Sequence, residues 1–582
     1  MVGQTVVIGR IVIDDIRPRT PEGLPAKAVV GEAVRISADV FKDGHDTLAG
    51  QVRWRAKAKG NGKWQSTSLH HLGNDRWEAV IEPTTLGLHE FVVEAWTESY
   101  ASSWRTVDPD NPPDLTTSPA MPLWVDRERA LVGAWYELFP RSYGGLAGVR
   151  DHLPYVAEMG FDVLYLPPIH PIGRSHRKGP NNTLTASPDD PGSPWAIGSE
   201  EGGHTAIHPE LGTFTDFEAL VERAHELGME IALDYALQCS PDHPWVAEHP
   251  EWFHKRPDGT IAYAENPPKK YQDIYPINFW PAEERDRVAL WDACKGIVDF
   301  WIGKGVRIFR VDNPHTKPVA FWAWMIPAVQ AQHPDVLFLA EAFTKPKMMA
   351  KLAEVGFSQS YTYFTWRTAS WELQEYLAEL AHGPKADFMR PNFWPNTPDI
   401  LAGPLREGPP AAFRQRLVLA ATLVPSYGIY SGYELCENEP MSDANEEYLR
   451  SEKYEVKERN FTSARSLTHF VAEVNDIRRR HPALHRLRNI RFHHSSNDQL
   501  LAYSKHTDDR SDVVLVVVNL DPFNTQDGVL GLDLGFLGLP WDTPYEAFDE
   551  LSGQSFRWQG AEPYVRLDPH QAAHVLHLRA RS

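Results

Sequence analysis

Along the first hundred residues, short apolar–polar alternations recur between turn signals. Val52 and Trp54 alternate with polar neighbours, as do Trp77, Ala79 and Ile81. A period of two is what a half-buried strand requires. The pattern predicts strands at 33–41, 50–56, 76–82 and 89–96, after a first one in 1–15, and hence an N-terminal β-sandwich domain, residues 1–104. Residues 105–123 are rich in Pro, Asp and Thr and read as a linker. From 124 to 485 the rhythm changes. Strand-like runs at 132–139, 162–167, 230–237, 306–312, 336–342, 360–366, 391–396 and 427–430 are separated by helix-like segments at 216–227, 285–303, 318–332, 371–382, 411–424 and 466–480. In the last helix Leu467, Phe470, Val471, Val474 and Ile477 fall on one face. Eight such alternations fit a (β/α)8 TIM barrel, an α/β fold, better than an open sheet. Two connections, 169–213 and 239–281, exceed ordinary turns, and the second reads as a subdomain insertion. Strands return at 500–504, 513–519, 564–567 and 574–578, predicting a C-terminal β-sandwich domain, residues 486–582.

Composition narrows the function classes. Of 582 residues, 42% are hydrophobic and 23% charged, a globular mix that excludes a disordered or fibrous chain. No apolar run approaches the ~20 residues of a membrane helix, so a membrane is not an expected partner. With 58 basic against 78 acidic residues the net charge is −20, which argues against nucleic acid. Cys239, Cys294 and Cys436 form neither a disulfide framework nor a metal-ligand spacing, so a reducing cytoplasm is expected. The 20 Trp, 20 Tyr and 25 Phe suit either a large core or a cleft that stacks on sugar rings. Composition does not separate the two.

In a barrel, side chains at the C-terminal strand ends point into the active-site mouth. Asp234, Asp312, Glu341 and Asp399 all stand at or just past such ends. Clustering carboxylates is costly without counter-charge, and Arg310, on the same face as Asp312 two residues on, supplies one. Two carboxylates flanking one bond are what retaining glycoside chemistry needs, one attacking the anomeric carbon and one moving the proton.

The segments FRVDN (309–313), FLAEAF (338–343) and NTPD (396–399) resemble the catalytic motifs of family 13 glycoside hydrolases, the α-amylase superfamily. The resemblance covers essentially the whole chain. It implies Asp312 as nucleophile, Glu341 as general acid/base and Asp399 as transition-state stabiliser. Two departures narrow it: Gln238-Cys239 replaces the Asn-His usual after the third strand, and Pro398 replaces the His usual before the last Asp. The runs at 166–179, 192–204, 264–279, 310–318 and 448–455 look like those of the subfamily of maltose-1-phosphate maltosyltransferases. That likeness implies an α-maltose 1-phosphate donor and an α-1,4-glucan or maltooligosaccharide acceptor, with no cofactor or metal.

The residue chemistry agrees with a phosphorylated donor. Asn266, Lys269 and Tyr271 bring an amide, an ammonium and a phenol to the long loop after strand three, donors suited to phosphate. By resemblance, Ser193 and Asn313 also line the phosphate subsite, Lys178 and Gln238 hold the nearer sugars, and Lys453 reaches the distal glucose. Trp366 and Trp394 mark candidate neighbourhoods for the acceptor. His170 and His204 read either as ligands or as satisfied polar groups. Two other functions stay open: a retaining hydrolase or transglycosidase of unphosphorylated glucans, and an inactive glucan-binding module. Relatives of this type usually carry a helical insertion before WVDRERA (124–130) that contributes to a homodimer. The short 105–123 stretch stands in its place, so the resemblance does not extend to a homodimer.

Overall fold

The computed structural model describes residues 9–57, 62–100, 105–106, 112, 114–266, 269–442 and 445–580; the side chains of Tyr100, Arg105, Thr106, Asn266 and Lys269 also fall outside the described residues. At its centre a parallel sheet curls on itself. Gly133–Glu137, Val163–Leu166, Glu230–Tyr235, Ile308–Asp312, Leu337–Glu341 and Gln359–Ser360 pair in sequence order, and Ser426–Tyr430 pairs with Gly133–Glu137 on its other side. The remaining seam is closed by residues 391–393. Pro391 bridges Ser360 and Phe393 bridges Tyr427, both in parallel sense. The strand expected at 391–396 is thereby reduced to two bridges, since Pro391 and Pro395 have no N–H to donate. The barrel itself is the one the alternation predicts.

Helices Phe214–Glu226, Glu284–Gly303, Val319–Gln330, Ser370–Ala381, Pro410–Leu423 and Thr468–Arg480 lie within a few residues of their expected spans. Among the helices outside the expected spans, Gly145–Glu158 and Pro346–Glu354 pack around the barrel. The first buries Leu146, Val149, Leu153 and Val156 at helical spacing, but Gly145, Gly148 and Pro154 obscure it. The strand expected at 360–366 stops at Ser360 and gives way to a 3-10 turn, Tyr363–Trp366, begun by the Thr362 side chain.

Towards the N-terminus, a four-stranded and a larger sheet share a core of Ile36, Ala38, Val40, Val52, Phe91 and Val93. Part of the 105–123 stretch read as linker is strand: Thr116–Thr117 and Met121–Asp126 pair with Gly87–Tyr100. These sheets are tied to the barrel by Arg390, which pairs with Asp126 at 2.6 Å and donates to Ala28 O at 2.8 Å. In the C-terminal eight-stranded sheet, Val513–Asn519 is buried on both faces. Leu515 and Val517 face that sheet's own core, while Val514, Val516 and Val518 join the barrel's core. Burial on both sides is why this strand reads as an unbroken apolar run.

Candidate active site

The site follows from the period of two along the barrel strands. Inward positions low in the barrel are apolar: Trp135, Val163, Ala232, Ile308, Leu337 and Leu339 form one cluster with Tyr165, Tyr361 and Trp394. The intervening residues Tyr136, Leu164, Leu233, Phe309 and Phe338 belong to the core under the helices. Two residues further along, the same inward rows turn polar with Glu137, Asp234, Arg310 and Asp312, and Glu341. All five are buried.

Arg310 is the hub. One guanidinium nitrogen donates to Asp234 Oδ2 and to Asp312 Oδ1, each at 2.9 Å, and the other lies 3.6 Å from Glu341 Oε1. Tyr165 adds a 2.5 Å hydrogen bond to the same Asp234 oxygen. Asp312 and Glu341 are register partners on adjacent strands, hence roughly 5 Å apart along the sheet. Asn313, with φ 43° and ψ 52°, turns the chain sharply after Asp312. In that left-handed conformation its backbone N–H donates to Glu341 Oε2 at 3.1 Å, and its side-chain amide donates to Asp312 Oδ2 at 3.3 Å. Lys317 secures the turn by donating to the carbonyls of Asp312 and Asn313 at 3.2 and 3.3 Å. Asp399 is ion-paired with Lys453.

Burial sets the charge states. It raises Glu341 above the ordinary carboxylate range; Arg310 opposes, while Asp312 and Asp399 add to the push. Burial likewise raises Asp234 to about 7 against the pull of Arg310. The hydroxyl of Tyr165 and the indole of Trp195 act with Arg310 against this rise. Burial pushes Glu137 well above the carboxylate range too, again against Arg310. Burial disfavours charge on Lys453, but Asp399 beside it overrides this and raises its pKa.

A cavity of about 660 Å³ opens over these groups. Its wall includes Asp312, Glu341 and Asp399 together with Lys178, Ser193, Gln238, Tyr271, Asn313 and Lys453. Nine of the twelve residues expected in the site therefore meet in one cavity. Arg310 sits behind them, and the side chains of Asn266 and Lys269 lie outside the described residues.

Comparison with known proteins places this arrangement in a family. Residues 9–107 match the family described as alpha-1,4-glucan:maltose-1-phosphate maltosyltransferase, domain N/S; residues 98–379 match the alpha amylase catalytic domain; residues 492–578 match the family described as GLGE, C-terminal. The chain is 49% identical to alpha-1,4-glucan:maltose-1-phosphate maltosyltransferase 2 of Streptomyces coelicolor, across 99% of this chain and 97% of that protein. The chain belongs to the α-1,4-glucan:maltose-1-phosphate maltosyltransferase family. The correspondingly named protein of Rhodospirillum rubrum is 46% identical, across 96% of this chain and 93% of its own. The Streptomyces alignment runs over 660 positions against 582 residues here, so that maltosyltransferase carries segments this chain lacks. Among solved structures, a maltogenic alpha-amylase from Thermotoga neapolitana is similar with a TM-score of 0.61 at 18% identity, covering 78% of this chain and 99% of its own. A cyclomaltodextrinase covers 98% of this chain and 99% of its own with a TM-score of 0.59 at 17% identity, which likewise speaks for the fold.

For this maltosyltransferase family member the structure also resolves residues that the sequence left open. Lys178 donates to Lys270 O at 3.2 Å and lies 5.9 Å from the Tyr271 ring centre. Gln238 donates to Trp195 O at 3.2 Å. His170 and His204 are satisfied polar groups: their rings hydrogen-bond to Ala206 O at 3.0 Å and Ala236 O at 2.8 Å, and burial lowers them to about 3 and about 4. Cys239, read as lacking a metal-ligand spacing, lies in space beside His204 and His243, with ligand atoms within 4.8 Å of one another. The facing nitrogens of the two imidazoles are 3.1 Å apart and hydrogen-bonded, and burial keeps the thiol protonated. Trp394, considered for the acceptor, is instead buried against Tyr361, ring on ring at 5.1 Å and 9°. Trp366 directs its indole N–H to Glu446 at 3.0 Å. Sequence reasoning missed Lys317 and Asp273. Asp273 lines the cavity, is buried, and has an Oδ1 without a hydrogen-bond partner among the described residues. Both lie inside runs already singled out, 310–318 and 264–279, so the signal was their position beside acids and lysines.

Proposed function

We propose that the chain is a retaining maltosyltransferase that moves maltose from α-maltose 1-phosphate to the non-reducing end of an α-1,4-glucan, releasing phosphate. The observation that carries this reading is the single cavity in which Asp312, Glu341 and Asp399 meet Lys178, Tyr271 and Lys453. Its volume falls within the ~300–1,000 Å³ of small-molecule sites. Asp312 attacks the anomeric carbon, forming a β-maltosyl ester as the C1–O bond to phosphate breaks. Glu341, held protonated by burial, can give its proton to the departing oxygen. Now ionised, it takes the proton of the acceptor 4-hydroxyl, whose oxygen displaces Asp312 from C1. Two inversions leave the product α. In this reading Asp399 grips the sugar at the reaction centre. Lys178 and Gln238 hold the two donor glucose units, and Lys453 reaches the distal one. Ser193, Asn266, Lys269, Tyr271 and Asn313 receive the phosphate. The 124–485 barrel carries the chemistry, with the 1–104 and 486–582 β-domains as accessories, in a cytoplasm that keeps the three buried cysteines reduced.

The test is phosphate release from α-maltose 1-phosphate with glycogen present. Wild type should release phosphate, and Asp312→Ala should abolish release; unchanged release in the variant would overturn the assignment. Turnover of maltooligosaccharides without the phosphorylated donor would instead favour a hydrolase or transglycosidase.

A further inference from the structure

One stretch of the cavity wall leads directly onto the surface. Phe279 lines the cavity and is 5% exposed, whereas the next residue, Trp280, is 52% exposed. Both are braced by the helix Glu284–Gly303 and the turn before it. Trp291 Nε1 donates to Phe279 O at 3.2 Å, and Trp280 N donates to Asn278 Oδ1 at 3.1 Å. The Trp291 ring stands 5.6 Å from that of Trp280 at 63°. The Arg287 guanidinium lies 5.3 Å from the Trp280 ring centre and 5.5 Å from that of Trp291. Trp291 is itself wedged against Phe321 and Trp324 at 5.5 and 5.4 Å. Trp280 is thus an exposed indole on a fixed aromatic backing.

Its place in the barrel gives this a use. The helix Glu284–Gly303 leads into the strand Ile308–Asp312, so its first turns, with Arg287, lie at the mouth where the strand-end carboxylates stand. The same cavity wall contains His315, whose Nδ1 is buried without a hydrogen-bond partner among the described residues. A flat aromatic face beside a mouth with an unspent polar atom suits a glucan chain, which offers apolar C–H faces and hydroxyls in alternation. Arg287 and Glu284, 3.1 Å apart, supply a donor and an acceptor for those hydroxyls.

We propose that Trp280, backed by Trp291 and flanked by Arg287, is the outer acceptor platform, stacking on a glucose unit of the α-1,4-glucan beyond the reacting end. The assignment rests on the transfer reaction proposed above. In Trp280→Ala the KM for maltohexaose and for glycogen should rise about tenfold, the worth of one aromatic stack, with the donor KM and kcat within about twofold of wild type. Trp280→Phe should restore most of the affinity. Calorimetry with maltohexaose and no donor should show the same tenfold weakening, whatever reaction the enzyme performs. Unchanged glucan affinity in Trp280→Ala, or donor and acceptor KM rising together, would overturn the platform. Absence of any transfer by wild type would overturn the proposed reaction while leaving the calorimetric test in force.

Discussion

Arg310 forces a division of labour among the acids around it. Its guanidinium touches Asp234 and Asp312 directly and approaches Glu341, while burial works against charge on Asp234 and Glu341. For Glu341 this favours the proton-carrying form that the first step uses. Because phosphate departs readily, removing that proton carrier should hurt the second step more than the first. Glu341→Gln incubated with the donor alone should therefore accumulate a maltosyl adduct on Asp312, seen as a mass increase on the intact protein; no adduct, with steady phosphate release, would contradict the assigned roles. Asp234 makes a separate prediction. Its carboxyl, ordinarily near 3.8, is raised to about 7 in the folded chain. The folded state thus keeps a proton that the unfolded state has lost, so this contribution is full below about pH 4 and disappears as pH climbs through 7. Asp234→Asn, which cannot ionise, should flatten the pH dependence of the unfolding free energy across that window. Urea denaturation at several pH values checks this, and an unchanged slope would remove Asp234 as the source.

At the scale of elements, the seam that the barrel closes with only two bridges is also tightly fitted. Residues 391–393 close the ring through two bridges, with Phe393 N donating to Ser426 O at 3.0 Å and Gly428 N to Phe393 O at 2.9 Å. Trp394 then turns into the barrel and fills the space over Gly428. A Cβ on Gly428 would come within 2.3 Å of the Trp394 ring. Gly428→Ala should cost about 1–3 kcal/mol through overpacking, read from chemical denaturation; a wild-type midpoint would show that the ring can shift. This seam shows why some features were legible in sequence and others were not. Asp312 and Glu341 stood out because an apolar strand ending in an acid breaks its own pattern at the one place a barrel uses for chemistry. Glu137 breaks the pattern in the same way, yet it is hidden in a strand where Trp135 and Tyr136 set the character. The seam strand was overextended because its apolar residues suggested a ladder that its prolines cannot make. Trp394 was misplaced because an aromatic beside a catalytic loop looks the same in sequence whether it faces the mouth or the core. Lys317 and Asp273 lie on turns, where no period announces which way a side chain points.

At the scale of the whole molecule, the charge and the site pull in opposite directions. The chain carries −20, yet the proposed donor bears about −1.5 to −2 at neutral pH. The cavity wall sets Lys178, Lys317 and Lys453 beside Glu265, Asp273, Asp312 and Asp399, with Glu341 kept protonated by burial, and these groups act on the donor at short range. The bulk of the surplus negative charge is spread over the rest of the surface and acts at long range. Salt separates these contributions, because the Debye length falls from ~30 Å at 0.01 M to ~10 Å at 0.1 M. Over that interval the long-range repulsion is screened, whereas contacts of 3–4 Å inside a buried cavity are hardly affected. The value of kcat/KM for α-maltose 1-phosphate should therefore rise between about 10 and 100 mM salt and fall only beyond it, when the short-range attraction is screened in turn. The glucan acceptor is uncharged, so its KM should stay flat over the same range and serves as the internal control. A donor kcat/KM that falls steadily from the lowest salt would mean that the lysines at the mouth dominate at long range as well, and that the field of the whole molecule does not oppose the site.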